Sequence, residues 1–337
     1  MRSHKKDSLI SIVMPVKNAD LYLEECLRSI IDQSERNWEL IAVNDHSSDS
    51  SMEILKKYSS FENRINVIDN NGIGIIEALR LAYQKSYGNF ITRMDADDIM
   101  MPHKLQILKT NLIDNGEGNV SIGGVKYFSS GLLGNGYQQY EKWLNNLTAN
   151  GINFTEIYKE CVIPSPSWMM YKNDFERCGS FDSDIYPEDY DLCFRMYRER
   201  VKELRCQEIV HYWRDHSARS SRNLLEYSDN SFLELKVKYF IELDYDKEKQ
   251  IILWGAGKKG KNVASNLKAR AISFRWVCNN ENKIGKDISG IKMESPDDIS
   301  LDKECQILIL VANKRDQSEI KKHPLSSSRK TDVFFFC

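Results

Sequence analysis

Apolar positions in the first hundred residues alternate between short solid blocks and helical spacing. Leu9–Pro15 is a compact, β-branched block bounded by Pro and Asn, which predicts a buried strand. From Asp20, Leu23, Cys26, Leu27, Ile30 and Ile31 recur every three to four positions, which predicts a helix. The same alternation repeats. Trp38–Val43, Ile65–Ile68 and Phe90–Met94 read as strands, and the segments around Met52–Tyr58 and Ile75–Tyr87 as helices. This β-α-β-α-β-α-β order predicts a mostly parallel sheet flanked by helices. Each strand runs into polar residues: Lys17 and Asn18, Asn44 and Asp45, Asp69 to Asn71, and Asp95 to Asp98. In such a sheet the ligand crevice lies beyond the carboxyl ends of the strands, so four loops aim polar groups at one edge.

Beyond residue 120 the pattern is less regular. It holds expected strands at Val120–Phe128 and Trp168–Tyr171, a glycine-rich loop at Gly131, Gly134 and Gly136, and an acidic cluster at Glu188–Asp191. Residues 223–243 read as a connecting helix, and Asp244–Lys249 as a linker. A second α/β pattern follows, with strands at Ile251–Trp254, Phe274–Cys278 and Ile307–Val311 and a helix at Asn262–Ala269. The expected division is therefore 1–245 and 246–337, the second part a small Rossmann-like α/β domain.

Composition narrows the picture. With 47 Lys and Arg against 49 Asp and Glu, the formal net charge is -2, so nothing draws the chain to nucleic acid. Eight cysteines occur without a CxxC pair, which removes the usual zinc spacing and suits reduced thiols. No signal-peptide pattern or membrane-length apolar run is present, and the expected location is cytoplasmic, including the inner face of a membrane.

Asp95-Ala96-Asp97-Asp98 places two carboxylates one residue apart at a strand end, where both reach one hard divalent ion. Such an ion, Mn²⁺ or Mg²⁺, would neutralise a leaving diphosphate. The surrounding segments resemble glycosyltransferase family 2, the large family with the GT-A fold. The resemblance runs over roughly residues 9–220. It is carried by Ser11–Ser34, Trp38–Asp49, Asn71–Ala82, Tyr87–Leu105, Ser180–Met196 and Tyr212–Ser221, in order.

The resemblance implies roles. Pro15 and Val16 would line the nucleotide pocket, and Asp45 would accept from the base imide, which favours uridine. Asp95 and Asp97 would hold ribose, diphosphate and metal, and His216 would reach the metal or the diphosphate. Arg93 and Arg214 would meet the diphosphate. Asp189, in Glu188-Asp189, would be the general base of an inverting transfer. The implied reaction moves one sugar from a nucleotide-sugar donor to a glycan or lipid-linked acceptor in surface polysaccharide synthesis, with peripheral membrane contact where the acceptor is lipid-linked. The chain departs from the family pattern at Asn44, where Asp is frequent, at His46, where Gly is frequent, and at Arg80, where Asn is common.

Gly255-x-Gly257-x-x-Gly260 between a strand and a helix supports a second reading, a nicotinamide-dependent oxidoreductase. Where an acid should meet the ribose, the chain has Asn279 and Asn280. A nucleotidyltransferase would need a Gly-rich, Arg-containing loop after the first strand, and Pro15-Val16-Lys17-Asn18 stands there instead. A non-catalytic sugar-nucleotide-binding protein is the remaining alternative, with Asp95, Asp97 and Asp189 against it.

Overall fold

The computed structural model describes residues 8–129, 131, 133–217, 219, 232–300 and 302–337. The chain divides into two compact units, one of residues 1–155 and 161–219, the other of residues 156–160 and 220–337.

The first unit is built on a seven-stranded sheet. Its strands are β1 (Ile10–Val16), β2 (Trp38–Asn44), β3 (Ile65–Asp69), β4 (Phe90–Arg93), β6 (Asn119–Ile122), β8 (Trp168–Tyr171) and β9 (Lys202–Leu204), in the order β3-β2-β1-β4-β8-β6-β9. The first four run parallel, as the alternation predicts; β8 is antiparallel to both β4 and β6. The helices are α1 (Asp20–Ile31), α2 (Ser51–Phe61), α3 (Ile75–Gln84) and α4 (Lys104–Asn115). Leu23, Cys26, Leu27 and Ile30 of α1 pack with Ile10, Ile12, Met14 and Val16 of β1 in one core, so the two periodicities read from the sequence bury the same side.

A smaller sheet has the order β5-β10-β7, from β5 (Ile99–Met100), β7 (Gly124–Phe128) and β10 (Ile209–Arg214). Strand β10 is antiparallel to β5 and parallel to β7. Val125, Tyr127 and Trp213 of this sheet pack against Leu144 of α5 (Asn135–Asn150).

The middle segment corrects two expectations. Val120–Phe128 is not one strand: β6 and β7 belong to different sheets and part at Gly123. A Cβ on Gly123 would lie 2.0 Å from Val210 Cγ2, so the crossing of β6 into β7 passes where only glycine fits. The glycine-rich segment is not all loop either. Gly134 is the N-cap of α5 and Gly136 lies within its first turn. The acidic cluster opens a helix, α7 (Glu188–Arg198), preceded by the short α6 (Lys172–Arg177). Helix α3 also ends earlier than expected, at Gln84.

In the second unit the sheet order is β13-β14-β12-β11-β15-β16, from β11 (Gln250–Trp254), β12 (Phe274–Val277), β13 (Asp287–Ile288), β14 (Ile291–Glu294), β15 (Cys305–Ile309) and β16 (Thr331–Phe335). All pairs are parallel except β13 with β14. The unit also contains α8 (Leu233–Leu243), α9 (Lys258–Ala269) and α10 (Lys314–Lys322). Helix α9 begins four residues before the expected Asn262. The expected connecting helix is described from Leu233, and its first part, 223–231, lies outside the described residues. Helix α8 belongs to this unit by contact, although the sequence reading placed it at the end of the first domain. The Tyr158 ring stacks 5.3 Å from Phe336, which explains why 156–160 also belong here.

Candidate active site

Strand β4 ends at Arg93, and the chain turns at once, with the Asp98 amide donating to the Asp95 carbonyl at 3.2 Å. The Arg93 guanidinium is only 6% exposed. Its Nε donates to Asp95 Oδ1 at 2.8 Å and its Nη1 to Glu188 Oε1 at 2.8 Å. One arginine therefore joins the acidic loop after β4 to the start of α7, ninety-five residues later in the chain. Burial opposes its charge, but Asp95, Glu188 and Asp189 around it raise its pKa above the ordinary value.

Helix α7 begins after Pro187, with Glu188, Asp189 and Asp191 in its first turn, where the helix dipole favours negative charge. Asp189 Oδ2 accepts from the Ser165 hydroxyl at 2.7 Å, and Oδ1 accepts from the Tyr190 amide at 2.8 Å. Glu188 Oε2 is buried without a hydrogen-bond partner among the described residues. Burial pushes the Glu188 carboxyl up, and Arg93 only partly offsets that. Arg93, Glu188, Asp189, Ser165, Trp168 and Phe181 line a small pocket.

The acidic loop is held from the other side by β10. Asp98 is buried; its Oδ1 accepts from the Arg214 amide at 2.7 Å and its Oδ2 lies 2.9 Å from His211 Nε2. Burial together with Asp97 and Asp95 pushes the Asp98 carboxyl well above the usual carboxylate range. Asp97 Oδ2 lies 2.8 Å from His216 Nε2. Burial would raise the Asp97 pKa, but His216 and Arg219 outweigh it and hold the group low. Among the described residues, no three or more His, Cys, Asp or Glu side chains form a closed metal cage. What is present is a carboxylate and an imidazole in contact, with a second carboxylate two residues away. That donor set fits Mg²⁺ or Mn²⁺, which keep waters and substrate phosphates as ligands.

At the ends of β1 and β2, Asp45 is 3% exposed. Its Oδ1 accepts from Asn70 Nδ2 at 2.8 Å and from the Gly74 amide at 3.0 Å, and its Oδ2 pairs with Lys17 Nζ at 3.2 Å. Burial would raise its pKa, but these donors hold it below the usual range.

Other expected residues take more specific places. Val16 is fully buried in the core, so its side chain does not line a nucleotide pocket; its carbonyl accepts from the Asp45 amide at 2.7 Å. Pro15 is partly exposed. Arg214 is committed to bracing: Nε donates to the Asp97 carbonyl at 2.6 Å, Nη2 reaches Glu25, and the guanidinium lies 4.4 Å from the Phe128 ring. His46 has φ of 54°, a left-handed backbone that glycine adopts most readily. Its ring Nε2 lies 2.8 Å from the Gly72 carbonyl.

Two residues, Ser165 and Arg219, escaped the sequence reading, and a third, Arg80, was marked there without a role. Arg80 donates to the carbonyls of Phe181 at 3.2 Å and Asp182 at 3.0 Å, and pairs with Asp184 at 2.7 Å, fixing the loop that leads into α7. Ser165 sits in a Pro-Ser-Pro-Ser stretch with no period or charge to mark it. Arg219 stacks 4.7 Å over Trp213, where its charge acts on Asp97 and Asp98. Its only signal was its nearness to the Arg214–His216 segment.

Residues 11–179 match the family model described as Glycosyl transferase family 2, and residues 247–330 match one described as C2185-like, N-terminal. Glycosyltransferase GlyA of Streptococcus pneumoniae serotype 4 is 28% identical over 226 residues, 64% of this chain and 32% of that protein. TuaG of Bacillus subtilis (strain 168), a glycosyltransferase named for teichuronic acid biosynthesis, is 34% identical over 101 residues, 29% of this chain and 39% of that protein. The chain thus spans less than half the length of either curated relative. The crystal structure of S. aureus TarS 1-349 in complex with UDP-GlcNAc aligns with a TM-score of 0.54 at 18% identity, covering 71% of this chain and 68% of that one. At that identity the likeness bears on the fold, a GT-A-type α/β sheet flanked by helices.

Proposed function

The chain belongs to glycosyl transferase family 2, and from that membership we propose that it moves a single sugar, with inversion, from a UDP-linked donor to a glycan or lipid-linked acceptor in surface polysaccharide synthesis. The observation that carries this reading is Arg93, which holds Asp95 of the donor-side loop and Glu188 of the acceptor-side helix in one site. Support for the donor comes from the TarS complex with UDP-GlcNAc, and for the setting from TuaG.

In the proposed step, an acceptor hydroxyl enters beside Asp189. Asp189 takes its proton as the oxygen bonds to the anomeric carbon and the bond from that carbon to the diphosphate oxygen breaks. The nucleoside diphosphate leaves with the bonding pair. Ser165 holds the carboxylate in position through its hydrogen bond to Oδ2. A divalent Mn²⁺ or Mg²⁺ would neutralise charge on the leaving diphosphate, with Asp97 and His216 holding it and Asp95 beside them. Asp45 would read the base through Oδ2, the oxygen that Lys17 now contacts. No helix among the described residues is long and apolar enough to cross a membrane. Contact with a lipid-linked acceptor is part of the proposal and is read as peripheral.

The oxidoreductase alternative rests on the second unit, which we read as Rossmann-like. Gly255 has φ of 127°, and a Cβ on Gly260 would lie 2.0 Å from the Gly255 carbonyl oxygen, so two of the glycines are needed for the turn itself. At the ribose position Asn279 accepts from Trp254 Nε1 at 2.7 Å, and Lys283 Nζ donates to the Ala256 carbonyl at 2.9 Å. These residues serve the fold of the turn, and an acid for a ribose diol is missing at Asn279 and Asn280.

Calorimetric titration of UDP, GDP and dTDP, with and without Mn²⁺, tests the proposal on wild type and Asp97→Asn. Metal-dependent UDP binding that the variant loses is the expected result. Absence of binding to all three, with NAD(H) binding in a parallel run, would overturn it in favour of the oxidoreductase.

A further inference from the structure

Behind the acidic loop runs a buried row of polar side chains that the proposed chemistry does not use. Lys104, at the start of α4, is fully buried. Its ammonium donates to the Pro166 carbonyl and lies 3.2 Å from His211 Nδ1. His211 is also fully buried, and its Nε2 lies 2.9 Å from Asp98 Oδ2. Burial and the Lys104 charge hold His211 well below the usual imidazole range, and a lysine donating at Nδ1 leaves Nε2–H to donate to Asp98.

The two ends of this row land on the two halves of the site. Pro166 follows Ser165, whose hydroxyl holds Asp189. Asp98 follows Asp97, and its Oδ1 accepts the Arg214 amide while Arg214 Nε donates to the Asp97 carbonyl. A buried ammonium is costly unless its hydrogens are paired, and an apolar chain of the same length would fill the space without that cost. Packing alone therefore does not call for a lysine here.

We infer that Lys104 is a positioning residue, tying the Pro164–Ser167 turn that holds the Asp189 carboxylate to the Asp95–Asp98 loop through His211 and Asp98. The inference rests on the transferase reading of this site and deepens it. Lys104 touches no reacting atom. It fixes the separation between the group that activates the acceptor and the groups that hold the donor diphosphate, and displacements of about an ångström there cost about a hundredfold in rate.

The test uses the full chain and measures kcat, donor KM, the half-saturating Mn²⁺ concentration and Tm. Lys104→Met keeps the length of the side chain and removes its donors. It is expected to lower kcat by about ten- to a hundredfold with a much smaller change in donor KM. Ser165→Ala should cost less kcat in the Lys104→Met background than in wild type, because both changes break one tie. Should Lys104→Met fail to fold, His211→Gln and His211→Leu serve instead. The glutamine, which keeps a donor and an acceptor, should retain much more of kcat than the leucine. A drop in Tm with kcat unchanged and Ser165→Ala equally costly in both backgrounds would overturn the inference, as would equal kcat for the two His211 variants. Wild type that transfers no sugar would sink the transferase reading and this inference together. Active wild type with variants that match it in kcat and Mn²⁺ response would sink this inference alone.

Discussion

Glu188, a residue of the pocket lining, has one carboxylate oxygen on Arg93 and the other buried without a hydrogen-bond partner among the described residues. Its raised pKa means that it binds a proton at a pH where an ordinary glutamate, at 4.5, is already ionised. If the ionised form is the one that serves transfer, kcat/KM declines on acidification with an apparent pKa above 4.5. A pH–rate profile of Glu188→Gln should show that limb moved to lower pH. Lys104 makes the opposite kind of statement, about stability. Its pKa is pushed down to about 7 by burial, from 10.5 in the open chain. Between those two values the unfolded chain holds a proton that the folded protein has released, so stability rises as pH rises through that window. Urea titrations at pH 7 and 9 should show the rise in wild type and its loss in Lys104→Met. Asp97→Asn and Asp189→Asn should each abolish transfer while circular dichroism and Tm stay near wild type; near-normal turnover in either would remove its assigned role. Asp95 and Asp97 stand out in the sequence because a strand end and their spacing mark them, whereas Asp189 stands out only through the family resemblance. Lys104 does not, because a lone lysine on a helical segment reads as a solvated residue, and only the fold shows Pro166 and His211 around it.

At the scale of elements, strands and helices with one clean period were readable to within a few residues, from β1 through β4 and at β11. Helix α5 was hidden because Gly136 stands in its first turn and its buried face is short, Leu144, Leu147 and Thr148, with half-buried aromatics set among Asn and Gln residues before it. The β6–β7 break was hidden because Val120–Phe128 is rich in apolar residues on both sides of Gly123 and Gly124, and hydrophobicity does not say which sheet a strand joins. Gly123 decides it. Gly123→Ala should destabilise the protein by about 1–3 kcal/mol, the usual cost of overpacking, since the new methyl overlaps Val210. Val210→Ala should restore part of that loss, measured by urea denaturation of the single and double variants. Additive costs would mean that the clash is relieved by some other route.

For the whole chain, each unit has a core of its own. Ile252, Trp254, Val277, Ile307 and Ile309 form that of the second, separate from the β1–α1 core of the first. Gly260→Ala forces a Cβ against the Gly255 carbonyl and should lower the unfolding temperature of the second unit in scanning calorimetry, while UDP affinity stays as in wild type. A loss of UDP binding in that variant would place the nucleotide in the second unit. The two-part organisation was legible from the fresh strand–glycine–helix pattern at Gln250. The assignment of 156–160 to the second unit was not, because it depends on Tyr158 meeting Phe240 and Phe336, residues far along the chain.

The order in which the site is written along the chain bears on its synthesis. Asp45 and the Asp95–Asp98 loop emerge from the ribosome early, together with the parallel β-α-β units that carry them. Asp189 and His216 come much later, and β10 must still insert between β5 and β7 before Arg214 can brace the loop. A growing polypeptide therefore passes through a stage in which the acidic loop exists without the strand that braces it. On the proposed reading, a chain that stalls before Asp189 lacks the general base, the His216 partner of Asp97 and the Arg214 brace together, and the site is complete only after the last strand of the small sheet has closed.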